Sequence, residues 1–317
     1  MAFASGSTNN WHNLYLALHN LMLSVGWTEL QSRRLCENPA GGPSCYQGVY
    51  KNTGYSGLET IVIGFREFEG TLLCGWQMNC YTVWTAGQQW NANSGQHGSI
   101  SYNTSYQGWN DHPTVPLMRE GDMQYWFIAN HQRVAGVIKT GATYQSFYNG
   151  FGNRMGMPSH YPYPYYCCGS MRRILPYYDT SDYHRFIISP YMYYHKNGGR
   201  MELFAVAPDN TFINAGPDTS NFGYWRNQPY PFSSFNTSAV ATWPLNLGRD
   251  TNNKWILYPT YAISPLNGCM LALDGIYWHP GVYLQSEDVS VWNGHNYLIT
   301  QNVFRTTNFD FMAMIME

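Results

Sequence analysis

The stretch YWFIANHQRVAGVIK, residues 125–139, decides the fold class of this chain. It is rich in β-branched and aromatic residues, which favour β-strands over helices. Asn130 and His131 interrupt the apolar run near its middle, and asparagine is a common turn residue because its side chain bonds to the local backbone. We therefore predict an antiparallel β-hairpin with Asn130 and His131 at its turn.

Similar strand-like segments occur on both sides of this hairpin. A second hairpin is predicted over residues 185–207, because Asn197-Gly198-Gly199 supplies the positive φ angles that a tight turn requires. The other predicted strands begin at Leu58 and Leu72 or occupy residues 253–264, 295–304 and 311–317. The pattern predicts a mainly β protein with β-sandwich-like antiparallel sheets.

A single α-helix is predicted, at about residues 11–25. Its apolar residues recur at helical spacing and would form one face. Asn9 or Asn10 would cap the start of the helix, and Gly26 would end it. The residues of the apolar face are Trp11, Leu14, Tyr15, Leu18, Leu21, Met22 and Val25.

Two long connections separate the predicted strands. Residues 86–114 and 208–238 are rich in polar and aromatic residues and hold few aliphatic ones. Connections of this length in a compact domain are usually functional or packed against something else. Since the chain shows no internal repeat and no linker, we predict one β-rich domain over residues 1–317, or two closely packed sheets.

The composition is poor in charge and rich in aromatic residues. Charged residues make up 11% of the 317 residues, and Phe, Trp and Tyr make up 17%. An ordinary soluble domain has about 25% charged residues, whereas stable interfaces are depleted in Lys, Glu and Asp and enriched in aromatics. We expect partner proteins to cover much of the surface. The alternative is a sandwich that uses Tyr and Asn where other proteins use Lys and Glu.

Charge and hydropathy argue against several partners. The formal net charge is −2, and the basic runs extend no further than Arg33-Arg34 and Arg172-Arg173, so no nucleic-acid groove is expected. The first residues, MAFASGSTNNW, lack the features of a signal peptide, and no apolar run approaches the length of a membrane span. We predict assembly in a cytoplasm, without membrane insertion.

The seven cysteines form no CxxC pair, so a zinc ribbon is not expected. Their odd number in a long chain favours free thiols. A disulfide between the neighbours Cys167 and Cys168 would be strained, because adjacent Cα atoms are only about 3.8 Å apart. We predict that these two residues are buried thiols.

The sequence contains no recognisable catalytic motif. Glu67 and Glu69 lie two apart in a predicted strand, so they would face one side, as the carboxylates of a glycosidase do. A strand edge guarded by charge is the favoured interpretation of this pair. His12 and His19 share the predicted helix but lack a third metal ligand. We therefore predict no enzymatic activity, no metal and no cofactor.

Aromatic residues in the connections are the candidate contact residues. In the long loops they are surrounded by Asn and Gln, which suits either a sugar-binding surface or a protein interface. In HYPYPYYCCGS, residues 160–170, the prolines stiffen the chain and alternate tyrosines either present flat faces or fill the protein's own core. The candidates are Trp90, Tyr102, Tyr106, Trp109, Tyr161, Tyr163, Tyr165, Trp225 and Tyr230.

Several segments resemble a group of virion structural proteins of tailed bacteriophages and prophages. Residues 125–151 resemble that group's WFxANxRR hairpin and the YQxxYxGF segment after it, and MPSHYPYPYYCCGS resembles its P..YPYP...GGS turn. LDGIYWHPG, residues 273–281, and the closing QNVFRTTNFDFMAM resemble LDGVYxVxG and QNVxRT..xDFxAL. The helix ending in Gly26-Trp27 also matches, so the resemblance covers the chain from about residue 11. Departures are His131 and Cys168, where the group tends to have glycine.

The resemblance implies a structural role in the virion, in the tail, baseplate or fibre-attachment apparatus. The partners would be other virion proteins and copies of this chain in a homo-oligomer. One alternative is a tail protein that recognises a glycan on the host surface through the aromatic loops. A second is a neck, collar or capsid decoration protein. None of the matching motifs encodes a reaction.

Overall fold

A computed structural model describes residues 1–35, 46–69, 74–87, 113–117, 120–169, 186–187, 202–206, 208, 212–215, 226–229, 251, 255–264, 268–279, 284–302 and 311–317. Within these residues the chain forms one α-helix and antiparallel β-strands in three sheets. The prediction of a mainly β, sandwich-like protein is confirmed.

The elements have the following bounds. The helix α1 is Trp11–Ser24. The strands are β1 (Ala2–Asn10), β2 (Thr28–Leu35), β3 (Tyr46–Asn52), β4 (Ile61–Glu69), β5 (Cys74–Tyr81), β6 (Thr114–Leu117), β7 (Glu120–Ala129), β8 (Arg133–Thr140), β9 (Thr143–Phe151), β10 (Asn153–Arg154), β11 (Tyr165–Gly169), β12 (Glu202–Val206), β13 (Phe212–Ala215), β14 (Arg226–Pro229), β15 (Tyr258–Ser264), β16 (Gly268–His279), β17 (Val289–Trp292), β18 (His295–Gln301) and β19 (Phe311–Ile315).

The three sheets form three layers. The central sheet has the strand order β1-β7-β8-β9-β11-β12-β13. The outer sheet has the order β14-β15-β16-β19-β18-β17, with β10 paired to β16, and the third is a five-stranded sheet in the order β2-β3-β4-β5-β6. Both faces of the central sheet are covered, because neighbouring residues such as Phe127 and Ile128 belong to two different buried clusters.

The first core lies between the central sheet, the five-stranded sheet and α1. Trp76 of β5 packs against Phe127 and Phe147 of the central sheet, with ring centroids 5.8 Å and 5.9 Å apart. The second core lies between the central and outer sheets and contains Tyr148 and Trp278. Because packed sheets lie about 10 Å apart, large side chains are needed to fill these spaces.

The predicted helix is confirmed, and it ends at Ser24. Asn10 is its cap, since its side chain accepts a hydrogen bond from the His12 N–H at 2.8 Å. Gly26 has a φ of 82°. The Trp27 N–H bonds to the Met22 carbonyl, and the Gly26 N–H bonds to the Leu23 carbonyl, which is the Schellman arrangement.

The hairpin of residues 125–139 is also confirmed, as β7 and β8. Asn130 holds its turn: the Asn130 side-chain oxygen accepts the N–H groups of Gln132 at 2.8 Å and Arg133 at 3.0 Å. The Asn130 N–H donates to the Arg133 carbonyl at 3.0 Å. Asn130 therefore stabilises the turn with one donated and two accepted hydrogen bonds.

The tyrosine-cysteine run is strand β11, inside the central sheet. Tyr165 and Cys167 point into the first core, whereas Tyr166 and Cys168 point into the second. Both cysteines are buried and neither forms a disulfide, which confirms the predicted buried thiols. The two sulfur atoms lie on opposite faces of one strand, so strand geometry keeps them apart.

One interpretation of the carboxylates is wrong. The strand that carries Glu67 and Glu69 is β4, which lies between β3 and β5 and is not at an edge. Glu67 is fully buried there; its Oε2 accepts from the His12 ring at 2.8 Å and from the Tyr46 N–H at 2.8 Å. Glu67 is therefore a buried hydrogen-bond acceptor beside the start of α1, and not the surface charge that was expected at a strand edge.

Most aromatic side chains that the structure describes lie inside the protein. Among the described tyrosines and tryptophans, Tyr55 is the one that is largely exposed. The expectation that these rings form a partner-covered surface fails for this part of the chain, because three layers enclose two cores that the rings fill. Most of the two long connections, and residues 188–201 of the second predicted hairpin, lie outside the described residues.

Candidate docking surface

A partly buried ion pair connects the central sheet to the outer sheet. Arg133, at the start of β8, is fully buried, and its Nε donates to Oδ2 of Asp274 in β16 at 3.3 Å. Asn130 Nδ2 donates to the same oxygen at 2.7 Å, and Asn153 Nδ2 donates to Oδ1 at 3.5 Å. We call these four residues the Asp274 clasp.

Hydrogen bonds of the Tyr148 hydroxyl lie next to the clasp. The Tyr148 hydroxyl donates to the Phe151 carbonyl at 2.7 Å and accepts the Asp274 N–H at 3.4 Å. Burial raises the pKa of Tyr148, so this hydroxyl stays protonated at neutral pH. Gly275 has a φ of 74°, and a Cβ there would lie 2.4 Å from Nη2 of Arg133. A glycine is needed at this position.

Segments from distant parts of the chain meet at the clasp. Asn130 and Arg133 come from the hairpin segment, and Tyr148 comes from the segment that follows it. Asp274 comes from LDGIYWHPG, and Trp27 from the helix end donates its Nε1–H to the Asn130 carbonyl at 2.7 Å. Sequence segments far apart in the chain therefore build one local structure.

Two surface loops flank the clasp. The first loop, residues 53–60, connects β3 to β4, and its Tyr55 ring packs edge-on against His131 with centroids 5.8 Å apart. The second loop, residues 155–160, follows β10. An ion pair between Glu59 Oε1 and Arg154 Nη2, at 2.5 Å, connects the base of one loop to the base of the other.

Internal hydrogen bonds hold each loop. In the first loop, the Asn52 side-chain oxygen accepts the N–H groups of Thr53 at 2.7 Å and Gly54 at 3.2 Å. At the second loop, Arg154 Nη1 donates to the Tyr161 carbonyl at 3.2 Å. These hydrogen bonds fix the backbones of the two loops, from which the exposed side chains project.

These loops expose four large apolar side chains, which we call the apolar loop surface. Leu58 is 90% exposed, Met157 67%, Tyr55 59% and Met155 55%. Isolated exposed apolar residues are normal, but a group on adjoining loops is typical of interaction sites. Two of the four are methionines, whose flexible side chains adapt to a partner surface.

The predicted contact residues fall into two groups. Tyr161 and Tyr165 are buried: the Tyr161 hydroxyl donates to the Val206 carbonyl at 2.6 Å, and the Tyr165 hydroxyl accepts the Val62 N–H at 2.6 Å. Their assignment as contact residues is wrong, since these rings fill the protein's own cores. Tyr163 is half-buried against the first core. The remaining candidates, Trp90, Tyr102, Tyr106, Trp109, Trp225 and Tyr230, lie outside the described residues.

The apolar loop surface was not predicted from the sequence. Leu58 was assigned to a strand, but β4 begins at Ile61 and Leu58 lies in the preceding loop. The available signal was the two glycines of TGYSGLE, residues 53–59, which mark a turn rather than a strand. Both Gly54 and Gly57 have positive φ.

The histidines do not form a metal site in the described part of the chain. His12 bonds to Glu67, and the His19 ring bonds to the Tyr50 hydroxyl at 2.9 Å. Within the described residues, no group of three or more His, Cys, Asp or Glu side chains is arranged to hold a metal ion. No described helix combines the length and apolar character needed to cross a membrane.

Comparisons with models of known protein families and with curated proteins give no match to this chain.

Proposed function

We propose that this protein is a structural component of a tailed bacteriophage virion, in the tail, baseplate or fibre-attachment apparatus. It assembles through contacts with other virion proteins and with copies of itself, and it catalyses no reaction. The observation that carries the proposal is the apolar loop surface beside the Asp274 clasp. The resemblance of the clasp segments to phage virion proteins supplies the biological setting.

Energetics favour a covered apolar loop surface. Fully burying one large apolar side chain contributes about 1.5–3 kcal/mol, and four such residues stand on two adjoining loops. Association also costs the entropy of ordering the contact groups. The Glu59–Arg154 ion pair and the turn bonds of Asn52 reduce this cost, because they fix the loop backbones before binding.

The low charge of the chain is consistent with assembly. A freely diffusing monomer normally keeps a charged surface for solubility, and this chain has 11% charged residues. A virion protein meets many copies of itself around a symmetry axis, so uncharged contact surface is useful to it. A neck, collar or capsid decoration protein would use the same kind of surface, and its place in the particle distinguishes these roles.

Association measurements on a double variant test the proposal. Leu58→Ser with Met157→Ser removes apolar surface from both loops, and Val289→Ser, at a position 52% exposed on β17, is the matched control. Native mass spectrometry and light scattering would follow self-association, and co-sedimentation with particles lacking this chain would follow incorporation.

We expect the wild type and Val289→Ser to associate and to incorporate, and the double variant to do so at least tenfold more weakly. A wild-type protein that stays monomeric and does not bind particles would contradict the proposal. Equal association of the double variant would contradict the role of the apolar loop surface.

A further inference from the structure

A polar cleft lies at the end of the β7-β8 hairpin opposite to the clasp. It has a volume of about 590 Å³, within the range of ligand pockets. Gln124 in the cleft and Asn130 in the clasp are six residues apart on one strand, roughly 20 Å. The cleft is lined by Ser7, Thr8, Asn9, Asp122, Gln124, Lys139 and Gly141.

The floor of the cleft is a row of side chains across three strands, and Tyr144 of a fourth strand continues the row beyond the cleft lining. Ser7 is the register partner of Gln124, Gln124 of Lys139, and Lys139 of Tyr144. Residues directly opposite each other in a sheet point to the same face. Hydroxyl, amide and ammonium groups therefore stand side by side on one surface.

Lys139 is fixed by groups outside the cleft lining. Its ammonium donates to Oε1 of Glu287, and the Tyr144 hydroxyl donates to the same oxygen at 2.6 Å. Burial alone would raise the Glu287 pKa, but the hydrogen bonds from Lys139 and Tyr144 outweigh it and hold this pKa below its ordinary value. The Lys139 charge is thus compensated before any ligand arrives.

The backbone at Glu287 is unusual. Glu287 is a non-glycine residue with a φ of 77°, and its N–H donates to the Ile299 carbonyl at 2.6 Å. Residues other than glycine rarely adopt a positive φ, and residues held in this conformation are concentrated at functional sites. This strained backbone conformation places the Glu287 carboxylate within hydrogen-bonding distance of Lys139 and Tyr144.

A β-bulge shapes the other side of the cleft. Thr8 pairs with Met123 and Asn10 with Glu120, so β7 has one residue more than β1 in this interval. The extra residue falls at Gly121-Asp122, and Gly121 has a φ of 129°. Bulges reorient side chains and are frequent beside functional sites. Asp122 is exposed here, opposite Asn9.

We propose that this cleft binds a neutral carbohydrate. Hydroxyls, carboxamides and one carboxylate are donors and acceptors that suit the vicinal hydroxyls of a sugar. The half-buried Trp126, two residues from Gln124 along β7, packs against the second core and is not part of the cleft lining, so hydrogen bonds and not ring stacking would hold the sugar.

Other ligand classes fit the cleft less well. Among the described residues of the lining, Lys139 is the one cation, and it is already paired with Glu287, so a phosphate or nucleic-acid ligand lacks a counter-charge. The described lining residues include one carboxylate, Asp122, which is too few for a calcium or magnesium ion. The polar lining also disfavours an apolar ligand.

The test is a glycan array of neutral and acidic oligosaccharides, followed by titration calorimetry with the best neutral binder. Asp122→Asn and Gln124→Ala change the cleft, and Asn20→Ala on the exposed face of α1 is the control. We expect a neutral glycan to bind, with affinity reduced at least tenfold in both cleft variants and unchanged in Asn20→Ala.

Three results would overturn this inference: no neutral glycan binding, preference for acidic glycans, or binding that both cleft variants retain. Thermal unfolding of each variant shows that lost binding does not come from lost folding. The inference is independent of the proposed assembly role, because the Leu58→Ser and Met157→Ser changes lie on the loops by the clasp. That double variant is expected to bind the glycan normally.

Discussion

Arg133 and Asp274 lie 141 positions apart in the chain, yet Nε of the buried arginine meets Oδ2 of the aspartate at 3.3 Å. This contact joins the central sheet to the outer sheet. It also lies between the two loops that flank the clasp, so it connects the stability of the protein to the placement of the apolar loop surface.

Asp274→Ala is expected to destabilise the protein by at least about 2 kcal/mol. The change leaves the Arg133 charge buried without its carboxylate, and removing one partner of a buried pair typically costs about 3–5 kcal/mol. The lower figure allows for the partial exposure of the Asp274 side chain. Urea unfolding checks this result, with Asp122→Ala on the exposed end of β7 as the control. Equal midpoints for the two variants would show that the clasp contributes little.

Gly150→Ala is expected to destabilise the protein far more than Gly156→Ala. Gly150 has a φ of 138°, and a Cβ there would lie 2.4 Å from the Gln132 carbonyl oxygen and 2.6 Å from the Arg133 Cα. A Cβ at Gly156 would meet nothing within 4 Å. We expect a loss of several kcal/mol for Gly150→Ala and a change within about 0.5 kcal/mol for Gly156→Ala. Thermal unfolding measures both, and similar melting temperatures would refute the tight packing at Gly150.

Acid is expected to destabilise the protein through His279. Burial lowers the pKa of His279 to about 4, whereas the unfolded chain has a histidine pKa of about 6.5. Between these values the unfolded state binds a proton that the native state does not, so stability falls as the pH falls. Integrated from pH 8 to pH 5, the contribution of His279 is about 2 kcal/mol.

The pH dependence of unfolding in the wild type and in His279→Gln measures this contribution. Glu287 has a lowered pKa, so its stabilisation is present above its unfolded pKa and is lost at more acidic pH than this window. We expect the variant to have the shallower slope between pH 8 and pH 5. Parallel curves would mean that His279 is not the acid-sensitive group.

Cys167 and Cys168 are expected to be unreactive in the native protein and never bonded to each other. Both thiols are buried, on opposite faces of β11. Alkylation followed by peptide mass spectrometry should label both cysteines only after denaturation, as separate free thiols. A native peptide that is lighter by two hydrogens would demonstrate the disulfide that strand geometry excludes.

The sequence predicted the elements whose residue patterns are dense. The β7-β8 hairpin has β-branched and aromatic residues on both sides of Asn130, and α1 has a full apolar face with Asn10 as its cap. Strand β1 was missed because AFASGSTNN is made of small and polar residues. It becomes a strand through pairing with β7, a tertiary effect that local propensity does not contain.

The three-layer arrangement could not be predicted from sequence patterns, for a different reason. Alternation predicts that Tyr165 and Tyr166 point to opposite faces, but it does not show that both faces are covered. The aromatic excess was therefore assigned to a surface, although the described rings fill two cores. The apolar loop surface and the clasp depend on contacts such as Glu59–Arg154, between residues 95 positions apart.

The proposed virion role is tested most directly by an electron cryo-microscopy map of the virion proposed to contain this chain. We expect the chain to occupy symmetric positions in the tail, baseplate or fibre-attachment region. In those positions, density from a neighbouring chain should cover Tyr55, Leu58, Met155 and Met157. Absence of the chain from the particle would contradict the proposed virion role, and a map in which these four side chains face solvent would contradict the role of the apolar loop surface.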